Sequence, residues 1–161
     1  MIKFESQFQN DSEKSLGFLF IRAYNAWHGK IKKELATLGM THPQFVVLTS
    51  CNYLLFQKKN VTQALLSQTT EIDKVTLSQI ITLLEKKEFL KREKSEKDQR
   101  SNSIHLTKIG EEMVRQALPK VEKVDEEFFR IIGEDQDQLR GFLKILTPAN
   151  SRNIKIAILF G

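Results

Sequence analysis

The chain has 161 residues, 28% of them charged and 40% hydrophobic, with a net charge of +5. That length suits one domain whose core needs no staple, and a single cysteine, Cys51, excludes an internal disulfide. No apolar run reaches the length of a membrane span and the first residues lack a signal-peptide core, so a cytoplasmic protein without a membrane partner is expected.

Three prolines, seven glycines and no long apolar alternation point to a mainly helical chain. Residues 1–11 read as a loose arm, and Ser12, with Glu13 in the first turn, predicts a helix start. Leu16, Phe20, Ala23, Trp27, Ile31, Leu35 and Leu38 then recur at helical steps, ending near Gly39. A helix of that length packs on several neighbours or on a second copy of itself. Thr41 and Pro43 open a second helix, with Phe45, Leu48, Cys51 or Asn52, and Leu55 on its apolar face. Lys58, Lys59 and Asn60 form a polar turn. Thr62 caps a short helix through Ala64, Leu65 and Leu66, and Asp73 caps the next. Two short helices about a tight break have the spacing of a helix-turn-helix.

On the helix starting at Lys74, Leu77, Ile80, Ile81 and Leu84 fall in one arc and face the core. The opposite arc carries Val75, Gln79, Thr82 and Lys86, with Thr76 and Ser78 at its sides. It is uncharged from Val75 to Thr82. Such a face suits the approach to base edges, where Gln pairs with adenine, Ser and Thr bond either way and Val meets a thymine methyl. A short, half-buried helix with small polar residues would look the same. Residues 89–94 and 101–106 then read as two strands joined by a polar tip. Residues 86–108 hold eight Lys or Arg against four acids, nearly the whole excess charge of the chain. Arg92, Lys94, Lys97 and Arg100 would form a phosphate and minor-groove grip, with Asp98 steadying Arg100. A solvated, charged hairpin is the plain alternative.

Thr107 caps a further helix with Ile109, Met113, Ala117, Val121, Val124, Phe128 and Ile131 as its stripe, interrupted and kinked at Pro119. After Gly133 a last helix carries Leu139, Phe142, Leu143 and Leu146. The apolar tail, residues 153–161, is expected to be buried, against a partner subunit for example. Nothing resembles a catalytic centre. His28, His42 and His105 lie on three different elements without metal-site spacing, and no phosphate loop or nucleophile motif occurs, so neither a cofactor nor enzymatic activity is expected. Cys51, on an apolar helix face with no adjacent base, reads as core rather than as a redox sensor.

Asp98-Gln-Arg100-Ser followed by Leu106-Thr-Lys-Ile-Gly110 is similar to the wing of the MarR family of bacterial transcription regulators. Leu38-Gly-Met-Thr-His-Pro-Gln-Phe-Val-Val-Leu48 and Ile72-Asp-Lys-Val-Thr, with Leu84-Glu-Lys-Lys, extend the resemblance over most of residues 16–146. The resemblance implies a winged helix-turn-helix lobe over about residues 40–110. The helices of about 1–39 and 111–161 would build a homodimer on double-stranded DNA. It also implies a repressor whose recognition helix enters the major groove of a pseudo-palindrome, with Arg100 in the minor groove. A small aromatic or carboxylate effector would lie near Tyr24, Trp27, His28 and Phe45; ordinary aromatic core is the plain reading of those residues. Glu88 and Gln79 depart from the family, which usually has Gly and often has Arg at those places. Two other readings stay open: a winged-helix interaction module without DNA binding, and a Cys51-based redox regulator.

Overall fold

The computed structural model describes residues 5–8, 11–94 and 102–147. The predicted start at Ser12 is displaced. Asp11 accepts from the Glu13 amide and closes a 3-10 turn over Ser12–Lys14, whereas Ser15, in extended conformation, accepts from Phe18 N and starts α1 (Leu16–Ala36). The predicted stripe divides along its length. Trp27, Ile31 and Leu35 are buried, but Leu16 and Phe20 stay 82% and 55% exposed in the single chain.

Helix α2 (His42–Phe56) begins with a full capping box, Thr41 and Gln44 each bonding the other's backbone amide. It is not one-sided as its spacing suggested. Gln44, Phe45, Val47, Leu48, Thr49, Ser50, Cys51 and Leu54 are all buried, because α2 is the post on which the other elements pack. Leu54 rather than Leu55 completes its core face, and Asn52 is only half-buried. Helices α3 (Gln63–Thr70) and α4 (Lys74–Lys86) are capped by Thr62 and Asp73 as their sequences require. Leu77, Ile80, Ile81 and Leu84 are the buried residues of α4.

Strands β1 (Leu90–Lys94) and β2 (Asn102–Leu106) pair antiparallel, Leu90 opposite Leu106 and Lys94 opposite Asn102. A third edge, too short to show a period in sequence, joins them: Thr62 bridges Ser103, and Ile104 N donates to Val61 O at 2.7 Å. This ties the start of α3 to the wing. Helix α5 (Lys108–Phe129) runs through Pro119 without ending there. Its buried residues are Gly110, Val114, Ala117, Val121 and Val124, whereas Ile109 and Ile131 are exposed, so the expected stripe is corrected at both ends. A 3-10 segment (Arg130–Asp135) leads into α6 (Gln136–Leu146), which is amphipathic yet has no buried residue. The apolar tail lies outside the described residues.

The junction between wing and α5 accounts for the Leu106-Thr-x-x-Gly110 pattern. Thr107 N donates to Phe89 O at 3.1 Å, and the Thr107 hydroxyl donates to Glu88 O while accepting from Gly110 N at 3.0 Å. A Cβ at position 110 would sit 2.0 Å from Phe89 O, so only glycine lets the two backbones meet.

Three helices end alike, with a left-handed residue followed by an amide that reaches back five positions. The bonds are Met40 N to Leu35 O, Lys59 N to Leu54 O and Phe89 N to Leu84 O, and the left-handed residues are Gly39, Lys58 and Glu88. Only the first is the glycine that this conformation favours. Glu88 has φ 58° and makes no side-chain ion pair with a described residue. Replacing Glu88 with Gly relieves the Cβ clash at the cost of a looser unfolded chain, a net gain of up to about 1 kcal/mol. A thermal melt should therefore move upward by a few degrees; an unchanged or lower midpoint would contradict the strain assigned to Glu88.

Candidate nucleic-acid interface

The outer face of α4 is open to solvent. Lys74, Val75, Thr76, Gln79, Thr82 and Lys86 are exposed, Val75 by 70%, and Ser78 is half-buried. Val75, Gln79, Thr82 and Lys86 succeed one another at three- and four-residue steps and so share one side. Their hydrogen-bonding capacity differs. The Thr82 hydroxyl donates to Ser78 O at 2.9 Å, within the helix. Thr76 bonds the Asp73 carboxylate through side chain and backbone, which holds that carboxyl below its usual range. Gln79 has no described side-chain partner and Val75 projects a bare apolar surface, so these two have the most freedom to meet a partner.

Helix α3 fixes where α4 points. Gln63 Nε2 donates to Lys74 O at 3.1 Å, and Ser67 Oγ donates to Ile72 O at 2.7 Å across the turn between the helices. Because Thr62 also bridges Ser103, the start of α3, the start of α4 and the distal part of β2 lie on one side of the molecule.

The wing's charge is less free than its sequence implied. Arg92, expected to grip phosphate, is half-buried, its Nη1 2.5 Å from Glu85 Oε2 on α4. Lys91 pairs with Glu93 at 2.6 Å, and Lys87 turns inward. Sequence spacing missed the Arg92 and Lys87 contacts because their partners lie on other elements, whereas Lys91 and Glu93, two apart on one face of β1, were a readable pair. Lys74, Lys86 and Lys94 are exposed with no ion pair to another described residue. Lys97, Asp98 and Arg100 lie outside the described residues.

A second cluster forms behind this surface. Tyr24, Trp27 and His28 of α1 meet His42 and Phe45 of α2. Ring centroids are 5.1 Å apart for Tyr24–His28, 5.6 Å for Trp27–His42, 5.1 Å for His28–His42 and 6.4 Å for His42–Phe45. The four residues expected to sit together do so. His42 was missed and is the ring that joins them; Pro43 and the Thr41 cap, which place it in the first turn of α2, were the available signal. Trp27 Nε1 donates to Asp125 Oδ1 at 2.5 Å, linking α5 to the cluster, and burial raises the Asp125 carboxyl despite that bond. Among the described residues no group of three or more His, Cys, Asp or Glu could hold a metal ion. Cys51 is fully buried 4.0 Å from Ile104 O, and burial pushes its thiol up to about 12, so it holds no reactive thiolate.

Burial, and then the neighbouring His28, lower the His42 imidazole from 6.5 to about 4. The unfolded chain therefore takes up a proton here between pH 6.5 and 4 that the folded chain refuses. Stability from this site is complete above pH 6.5 and is lost as pH falls towards 4. The loss by pH 4.5 is on the order of 1 kcal/mol, the shift being discounted because the half-buried imidazole is screened by water. Urea unfolding at pH 7 and 4.5 checks this: His42→Phe should lose less stability on acidification than the parent chain, and equal losses would contradict the assignment.

The geometry has close counterparts among known proteins. The family model for the transcriptional regulator SarA/Rot matches residues 29–117. An uncharacterized HTH-type transcriptional regulator of Bacillus subtilis, YdcH, is 39% identical over 82% of this chain and 90% of its own. In fold, a mutant MarR of Escherichia coli complexed with operator DNA superposes with a TM-score of 0.76 at 22% identity, covering 89% of this chain and 100% of that one. CouR of Rhodococcus jostii, bound to p-coumaroyl-CoA, gives 0.72 at 22% identity over 86% and 95%. With the helix-turn-helix and wing in place, the chain belongs to the SarA/Rot family of transcriptional regulators and is a DNA-binding regulator with the MarR-like winged-helix fold.

Proposed function

We propose that the protein is a cytoplasmic, homodimeric repressor that binds a pseudo-palindromic operator and releases it in response to a small aromatic or carboxylate effector. The observation that carries this reading is the exposed, uncharged face of α4 beside a basic wing, in a chain of a regulator family. Val75 and Gln79 are assigned to base edges, with Thr76, Ser78 and Thr82 at the margins. Lys74, Lys86, Lys94, Lys97 and Arg100 are assigned to phosphate and the minor groove, Asp98 to orienting Arg100. Arg92 is assigned instead to holding the wing on α4, through Glu85. No catalytic step is assigned to any residue. The structures of MarR with operator DNA and CouR with p-coumaroyl-CoA support the two kinds of partner by analogy.

Residues about 40–110 form the DNA-binding lobe in this reading, and the remaining helices form the dimer. Leu16, Phe18, Leu19, Phe20 and Ile21 at the start of α1 are exposed, as are Phe142, Leu143 and Leu146 on α6. An apolar surface of that extent marks an association site. Tyr24, Trp27, His28 and Phe45 are assigned to the effector, with His42 added because it bridges the two helices.

Two experiments test the reading. With duplexes recovered from a random pool by in vitro selection, Arg100→Ala should weaken binding to all sequences and lower the salt slope by about 1, whereas Gln79→Ala should change which sequences are preferred. Fluorescence anisotropy at two salt concentrations checks both, and an unchanged salt slope or sequence preference sinks the corresponding assignment. For the dimer, Leu146→Glu should shift sedimentation from twice 18.7 kDa towards 18.7 kDa at micromolar concentration. A variant that sediments as the parent does would remove α6 from the interface.

A further inference from the structure

Lys87 behaves unlike the other lysines of the basic stretch. Lys86, one residue earlier, is exposed; Lys87 is half-buried and crosses to another part of the fold. Its Nζ donates to Gly39 O at 2.5 Å and to Gln44 Oε1 at 3.1 Å, and no carboxylate of a described residue pairs with it. Each anchor has a position that matters. Gly39 is the left-handed residue that terminates α1, the helix carrying Tyr24, Trp27 and His28. Gln44 is buried, closes the capping box with Thr41 and stands two residues after His42 in the first turn of α2. At its other end, Lys87 is the C-cap residue of α4, where a cation also complements the helix dipole.

The geometry points to Lys87 as a positioning residue that couples the aromatic cluster between α1 and α2 to the orientation of the recognition helix. Movement that carries the His42 backbone away from His28 and Trp27 tilts the first turn of α2 or resets the α1–α2 corner. Both of those hold the Lys87 ammonium, so a displacement of Gly39 O relative to Gln44 Oε1 either breaks one bond or pulls on the stem and, through it, on the end of α4. A lysine serving phosphate contact would face outward, whereas this one bonds both sides of the corner beside the cluster. The inference rests on the proposed control of DNA affinity from that cluster. A physical link of this kind is shown by coupling energies, not by position alone.

A double-mutant cycle tests it without an effector, using substitution as the perturbation. The parent, His28→Ala, Lys87→Met and the double variant are titrated by fluorescence anisotropy on a duplex selected in vitro with the parent protein. His28→Ala should change Kd at least about threefold with Lys87 present and less than about 1.5-fold with Met at 87. Lys87→Arg, which keeps the donors, should restore the response to His28→Ala. Equal changes in both backgrounds would overturn the role of Lys87 and leave cluster control standing. No change from His28→Ala in the parent would overturn cluster control, and the coupling with it. Urea unfolding of the same variants separates these results from lost stability: a mere strap would lower the midpoint of Lys87→Met while leaving the cycle additive.

Discussion

The carbonyl of Phe89 is where the recognition helix, the wing and the long helix α5 are joined. It accepts from Thr107 N, while Gly110 lies so close that no side chain fits between. Just before it, the Glu88 carbonyl takes the Thr107 hydroxyl, and Phe89 N closes the end of α4 on Leu84 O. Four consecutive features of the chain (helix end, strand start, strand end and helix start) are thus fixed within a few ångströms. A wing cannot be placed against a groove unless its base is rigid, and backbone groups on a glycine provide more rigidity than exposed side chains would.

From that joint the rest of the surface assigned to DNA follows by smaller ties. Glu85 and Arg92 bind the outer part of β1 to α4, and the Thr62–Ser103 bridge binds β2 to the start of α3. Gln63 and Ser67 set the turn between α3 and α4. These bonds consume charge and hydrogen-bonding groups that a purely compositional view would count as free for DNA. They leave Val75 and Gln79 as the least committed side chains on the face, between the exposed lysines 74, 86 and 94.

Much of this was legible in the sequence. The order of elements, the caps at Thr41, Thr62, Asp73 and Thr107, and the buried arc of α4 follow from local rules that the structure obeys. What was not legible depended on contacts between distant residues. The burial of Thr49 and Ser50 on α2, outside the apolar stripe read from its spacing, comes from neighbours on several sides that no local pattern marks. The inward turn of Lys87 and the pairing of Arg92 needed the third dimension. His28 and His42 are fourteen residues apart, too far for any spacing rule, and meet only because the Gly39 turn folds α2 back beside α1. The apolar stripes at the start of α1 and along α6, read in sequence as belonging to dimerisation helices, stay exposed among the described residues.

The left-handed helix ends at Lys58 and Glu88 have an evolutionary consequence. Substitutions on a recognition face are selected for the sequence they read, and most carry some cost to the fold. A chain with unrelieved strain at helix ends such as these, and at Glu71 after α3, has improvements open to it outside that face. A single-residue change to glycine there would give the fold a margin within which Val75, Gln79 and Thr82 could be exchanged. On the assignment of that face to base reading, the capacity of this regulator to acquire a new operator is thus partly stored in turns outside it.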